Sequence, residues 1–222
     1  MTTLHVSKLE APQARRTRTL TLAVRTVALV LAAFTLPISA RAADVAGSKE
    51  TIVRAIFERV DGCILTTLEV LVVDERESVP PGGPVTGARI EAGIEQLDEC
   101  SHEFVSSAFV IDALTDEEFH IDKKLESASV TKTVEMIDEI LGTSFPVTID
   151  LTWTATGPAT RGRDRSFIRF EDEMFHSTEK FIVRDATASG SVVSGTTDFL
   201  DTLSLAGADL VTRAVRFVGV VR

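Results

Sequence analysis

The chain has 222 residues, with 23 Lys and Arg against 33 Asp and Glu, a formal charge of −10, 44% hydrophobic residues and only two cysteines. An acidic balance of this size repels nucleic acid and anionic membrane surfaces, whose binding is carried mainly by Lys and Arg. The length suits one domain with a sizeable core.

The first 42 residues read as a secretory leader. A polar stretch with Arg15, Arg16 and Arg18 precedes an apolar run from Thr26 to Ile38, and Ala40-Arg41-Ala42 gives the small-x-small pattern of a signal-peptidase site. The apolar run is short for a membrane span. We therefore expect a secreted, extracellular protein starting at Ala43, with no membrane span in its mature part. The leader holds six basic residues and one acid, which leaves residues 43–222 at −15. Asn and Tyr are absent and Arg greatly outnumbers Lys, as in a GC-rich bacterial genome; without Asn there is no N-glycosylation acceptor.

From the start of the mature part, Ile52, Val53, Ile56, Phe57 and Val60 fit either a helical face or a strand. The hairpin signal Asp61-Gly62 favours a strand. Ile64 to Val73 is a second β-rich run. The break at Val79-Pro80-Pro81-Gly82-Gly83-Pro84 ends it, and Ala88 to Leu97 resumes with alternation at Ile90, Ala92 and Ile94. Folding about Pro81-Gly82 sets residues whose numbers sum to 163 opposite one another, Cys63 and Cys100 among them. In an oxidising compartment this pair is expected to form a structural disulfide across the open end of the hairpin.

Glu103 to Ala113 reads as another strand, closed by the acidic turn Thr115 to Glu118, and Phe119 to Met136 as one long extended stretch. The clearest strand runs from Phe145 to Ala155. There Val147, Ile149, Leu151 and Trp153 alternate with polar residues, which puts Trp153 in the core. Gly157-Pro158 and an Arg161–Arg165 loop follow, then shorter strands at Ser166 to Phe170, Phe175 to Asp185 and Ala186 to Val193. Phe199 to Ala208 fits a short helix or a loop, and Ala214 to Val221 a terminal strand. Many strands without a βαβ rhythm indicate an all-β fold, an antiparallel β-sandwich in one domain over 43–222, with a small closed antiparallel barrel as the alternative.

The stretches Asp122 to Ser129, Trp153 to Gly157 and Arg184 to Gly190 resemble segments of uncharacterised exported bacterial β-rich proteins. The resemblance spans about residues 88–193. It implies a secreted β-rich fold and no activity.

Candidate chemistry is sparse. His102, His120 and His176 lack zinc-ligand spacing; His120 and Asp122 would share a strand face, as a solvated edge also would. Ser129-Val130-Thr131-Lys132 and Ser177-Thr178-Glu179-Lys180 match Ser-x-x-Lys, yet in extended chain positions three apart point to opposite faces. The acid pairs at Asp116 to Glu118 and Glu171 to Glu173 suit solvated turns, weak Ca²⁺ ligation or a sugar cleft, but one Trp and no Tyr offer little aromatic surface for a sugar. The one basic patch is Arg161, Arg163, Arg165 and Arg169, which fits an anionic ligand, an acidic neighbour or a solvated loop. The reading is a non-catalytic binding or structural module with no cofactor, no metal and an unknown extracellular partner. A lipocalin-like apolar-ligand barrel comes second and a secreted hydrolase third.

Overall fold

A computed structural model describes residues 45–79, 83–170 and 173–221. The expected leader and cleavage point, the Pro80 to Gly82 tip, Glu171 and Asp172 lie outside the described residues. The strands are β1 (Val45–Asp61), β2 (Ile64–Val79), β3 (Gly83–Asp98), β4 (Glu103–Leu114), β5 (Phe119–Ile121), β6 (Ser127–Asp138), β7 (Ser144–Ala155), β8 (Thr160–Phe170), β9 (Glu173–Ser194), β10 (Thr197–Asp198) and β11 (Ser204–Val221). A single 3-10 turn, Phe199–Asp201, is capped by Asp198, whose side chain accepts from the Leu200 N–H at 3.0 Å. The fold is all-β and antiparallel, one sheet of eleven strands. No helix among the described residues is long and apolar enough to cross a membrane.

The pairing returns on itself. It runs β9-β11-β1-β2-β3-β4-β6, and β7 pairs with both β6 and β9. One face of this ring is a single apolar core, because strand alternation sends every second side chain to the same side. On β7 the expected alternation holds: Val147, Ile149, Leu151 and Trp153 are fully buried and their neighbours are exposed. Val53 and Ala55 of β1, Leu68, Val70 and Val72 of β2, and Ile90 and Ala92 of β3 fill the same interior. Trp153 crosses it, donating its Nε1–H to the Arg54 carbonyl at 2.9 Å.

The weakest join is between β4 and β6, which pair only at Ala108↔Asp138 and Phe109↔Ile137. Lys132 bridges the gap. It occupies the inner-face position between the buried Val130 and Val134, and its Nζ donates to the Ala113 carbonyl at 2.7 Å and pairs with Glu118 at 3.2 Å and Asp112 at 3.3 Å. Burial disfavours the Lys132 charge, yet its bonds to Glu118 and Asp112 hold its pKa above the usual value. Val105, Phe109, Ile111 and Ile137 leave apolar surface exposed around this join.

Several expectations need correction. The 119–136 stretch is two strands, broken where Asp122 accepts from the Lys124 N–H and Leu125 takes a positive φ of 58° with its side chain in the core. The two strands expected over 175–193 are one 22-residue strand, β9, which exchanges β8 for β7 as partner without a turn. Its Gly190, at φ 140°, lies so close to the Asp150 carbonyl that a side chain has no room. The segment 199–208 is the 3-10 turn plus the start of β11.

The β2–β3 register is also one residue off the expected one. Leu65↔Leu97 and Leu68↔Ile94 set the sum at 162, so Cys63 faces Glu99, whose N–H donates to the Cys63 carbonyl at 2.8 Å. Cys100 sits one residue further, in the β3–β4 turn. That turn is built by the Asp98 carboxylate accepting from the Cys100 N–H (2.8 Å) and the Ser101 N–H (3.2 Å), with His102 at φ 62°. The turn curls back over the β1–β2 tip and brings Cys63 and Cys100 to a Cα separation of 5.6 Å, within disulfide geometry.

Backbone N–H bonds from Ser101 and Cys100 hold the Asp98 carboxyl below its usual pKa, and those from Thr115, helped by Lys132, do the same for Glu118. A depressed folded-state pKa contributes stability above the unfolded-state value, and that stability is lost as pH falls through the folded one. Acid unfolding should therefore steepen below the ordinary carboxylate range. Asp98→Ala should lose stability at neutral pH and match the parent at the acid end, a comparison that urea melts across pH would read directly.

Candidate anion-binding site

The Arg161 to Arg165 segment is not a loop. It lies in β8, paired with β9 in unbroken register from Thr160↔Val183 to Phe170↔Glu173. Gly162 and Asp164 give it a loop-like composition, but Gly162 has a strand role: the Phe181 ring of β9 lies over it, where a Cβ would collide. With a period of two, Arg161, Arg163, Arg165 and Arg169 occupy one face of the strand. For Arg169 only this register position is described.

Carrying the register across the sheet shows what else shares that face. Arg163 lies opposite Lys180 of β9, Lys180 opposite Ala214 of β11, Ala214 opposite Lys49 of β1, and Lys49 opposite Arg76 of β2. One row over five strands is thus cation, cation, alanine, cation, cation. The next row outward adds Arg165, Thr178 and Arg216; the next inward holds Arg161, Ile182, Thr212, Thr51 and Asp74. This is the face that further along carries Leu210, Val53 and Val72, so the cationic rows continue the core-facing side beyond the end of the core. Arg184, opposite the buried Leu210, stands at the boundary, and its Nε is buried without a hydrogen-bond partner.

The side chains of Lys49, Arg76, Arg163, Arg165, Lys180 and Arg216 are exposed. A hollow of about 230 Å³ opens among Arg163, Thr178, Lys180, Ala214 and Arg216. A second, of about 310 Å³, lies against Lys49, Thr51, Asp74, Arg76 and Thr212, walled by Ile121 at the end of β5 and by Asp122, Lys123 and Leu125 of the turn that follows.

Away from the paired Lys132 of β6, the two faces of the sheet treat their charges differently. On the outer face Arg54 pairs with Asp209, Arg89 with Glu75 and Glu91, and Arg213 with Glu179. Burial raises the carboxyl pKa of Glu50 and Glu69 on that face. On the inner face, among the described residues, Arg76 meets Asp74 at 3.9 Å, and Lys49, Arg163, Lys180 and Arg216 form no ion pair. Like charges directly opposite across an antiparallel pair are destabilising by up to about 1 kcal/mol. Here Arg163↔Lys180 and Lys49↔Arg76 are two such pairs in one row.

Other candidates are not assembled. In both Ser-x-x-Lys tetrads the serine and lysine fall on opposite faces: Ser177 bonds outward to Ser166 at 2.7 Å while Lys180 faces in, and Lys132 faces in while Ser129 does not. His120 is exposed beside a shallow hollow, and the Asp122 carboxylate is occupied by the Lys124 N–H. Among the described residues, the one group of three ligating side chains within mutual reach is Cys63, Asp98 and Cys100, where the sulfurs hold each other. Sequence reasoning missed Lys49, Arg76, Lys180, Arg184 and Arg216, which are scattered along the chain and meet only through pairing.

No protein-family model matches the chain, and no curated protein matches it. Among solved structures, an acetoacetate decarboxylase-like enzyme from Sphingomonas wittichii RW1 aligns at 8% identity and TM-score 0.29, over 83% of this chain and 95% of that one. The enduracididine biosynthesis enzyme MppR with HEPES buffer bound aligns at 10% identity and TM-score 0.27, over 85% and 93%. Similarity of this degree assigns no activity to the chain.

Proposed function

We propose that this protein is an exported, non-catalytic binding module whose ligand is an anion held on the cationic end of the inner sheet face. The observation that carries the reading is the row Arg163, Lys180, Ala214, Lys49, Arg76, four cations of which, among the described residues, Arg76 alone has an acidic partner (Asp74, at 3.9 Å), in a chain of net charge −10. A fold tolerates directly opposed cations when something offsets their repulsion, and a bound anion does so. The alanine at the centre of the row leaves room above the sheet for it. The buried, unbonded Arg184 Nε supports the same reading, since a native buried donor ordinarily has an acceptor. The apolar-ligand alternative has less support, because Trp153, Leu68, Ile90, Met136 and Ile149 occupy the interior. The disulfide-distance cysteine pair accords with an oxidising compartment.

The test is thermal melting with sulfate or pyrophosphate against chloride at matched ionic strength. An anion that binds the native state at a hundred times its Kd adds about 2.7 kcal/mol. Lys180→Thr should abolish that increment. Without anion, the same variant should melt no lower than the parent, and somewhat higher, because one like-charge pair is gone. A parent that gains nothing from sulfate, pyrophosphate or any larger polyanion overturns the reading.

A further inference from the structure

We infer that β8 is a docking edge for an extended acidic peptide, which adds to the sheet as a further strand and lays its carboxylates over the arginines; this rests on the anion-binding reading above. Among the described residues β8 pairs with β9 alone, so its other edge is open along Thr160–Phe170. Open edges in soluble proteins are usually kept short, interrupted by Pro, twisted away by a bulge or, as here, lined with charged side chains that deter a like-charged strand, because unpaired N–H and C=O groups recruit other strands. This edge is 11 residues long, contains no Pro and keeps an unbroken register.

The Arg165 N–H donates to the Asp164 carboxylate at 2.8 Å and so turns away from β9. The backbone groups of the odd-numbered residues therefore face the open edge. These are the same residues, Arg161, Arg163 and Arg165, whose side chains stand on the cationic face. A strand added here meets main-chain hydrogen bonds and arginines at alternate positions, the two components of recognition by strand addition. The arginines also select. A second copy of β8 would bring Arg against Arg, whereas a segment with Asp or Glu at every second position places carboxylates beside Arg163 and Lys180, which form no ion pair among the described residues. Asp164 acts as a local stopper, covering one outward N–H and adding negative charge beside the incoming strand.

The experiment titrates the protein, at physiological ionic strength, with a labelled nine-residue peptide carrying Glu at every second position and Thr or Val between. Two controls keep its charge: one N-methylated at the amides that would face β8, the other with Pro at the intervening positions. We expect the first peptide to bind at least tenfold tighter than either control. Its binding should slow exchange of the Arg161 and Arg163 amides, and Asp164→Ser should tighten it. Equal binding of all three peptides overturns strand addition while leaving the anion site intact. Preference for a sulfated oligosaccharide, with no peptide binding, overturns the peptide assignment. Indifference to every anion, sulfate and pyrophosphate included, removes the anion site itself.

Discussion

Replacing Trp153 with Ala should destabilise the protein by about 3–5 kcal/mol, the range for removing a large aromatic side chain from a core. Trp153 is fully buried at the end of the alternating run Val147, Ile149, Leu151, Trp153. Its indole spans the interior from β7 to β1, where Nε1–H donates to the Arg54 carbonyl. Two costs add: the cavity left where a fully buried indole stood, and an acceptor that loses its donor. Trp153→Phe keeps most of the volume and loses the bond, so it should cost less, about 1–2 kcal/mol. Denaturant melts followed by circular dichroism separate the two variants, because the only Trp is the residue removed. A Trp153→Ala loss below that of Trp153→Phe would show that the indole does not bridge the interior.

Loss of the Cys63–Cys100 bond should cost about 2–5 kcal/mol, with the chain-entropy model giving about 4 for a loop of 37 residues. The bond ties two turns, the β1–β2 tip after Gly62 and the β3–β4 tip built on Asp98. Each belongs to a different hairpin, so the constraint on the unfolded chain spans β2 and β3 together. The measurement compares melting of the native protein, the protein in reductant, and the Cys63→Ser/Cys100→Ser double variant. The last two should coincide and fall below the first. A reductant-insensitive melting point matching the double variant would mean that the thiols are not bonded.

The interior of this fold was largely legible in the chain. The β7 alternation places four core residues without ambiguity, and the parity of Ile90, Ala92 and Ile94 matches that of Leu68, Val70 and Val72. That parity held the correct β2–β3 register. A sum of 162 pairs even with even and buries both sets, whereas 163 would set Leu68 against Glu95; a one-residue slip exchanges the faces. The reading anchored on Pro81-Gly82 and on the cysteines missed this, since turn composition locates a turn only to within a residue, and Cys100 belongs to the next turn. The Arg161 to Arg165 segment was misread for a related reason. Gly and Asp signal loops in an isolated chain, and here a neighbouring strand supplies the hydrogen bonds, and Phe181 the cover, that keep them extended.

By itself, then, the amino-acid sequence determined the class of this protein: all-β and antiparallel, with Trp153 inside, Cys63 and Cys100 within bonding reach, and an arginine cluster in an acidic chain. These follow from local alternation, turn chemistry and composition, which act within a few residues. Only the tertiary structure decided that Lys49, Arg76, Arg163, Lys180 and Arg216 lie on adjoining rows of one face. A charge's partners are set by strand order and register. Pairings between residues more than a hundred positions apart in the chain, such as Lys49 with Ala214, come from closing the β1–β11 join, which no local pattern encodes.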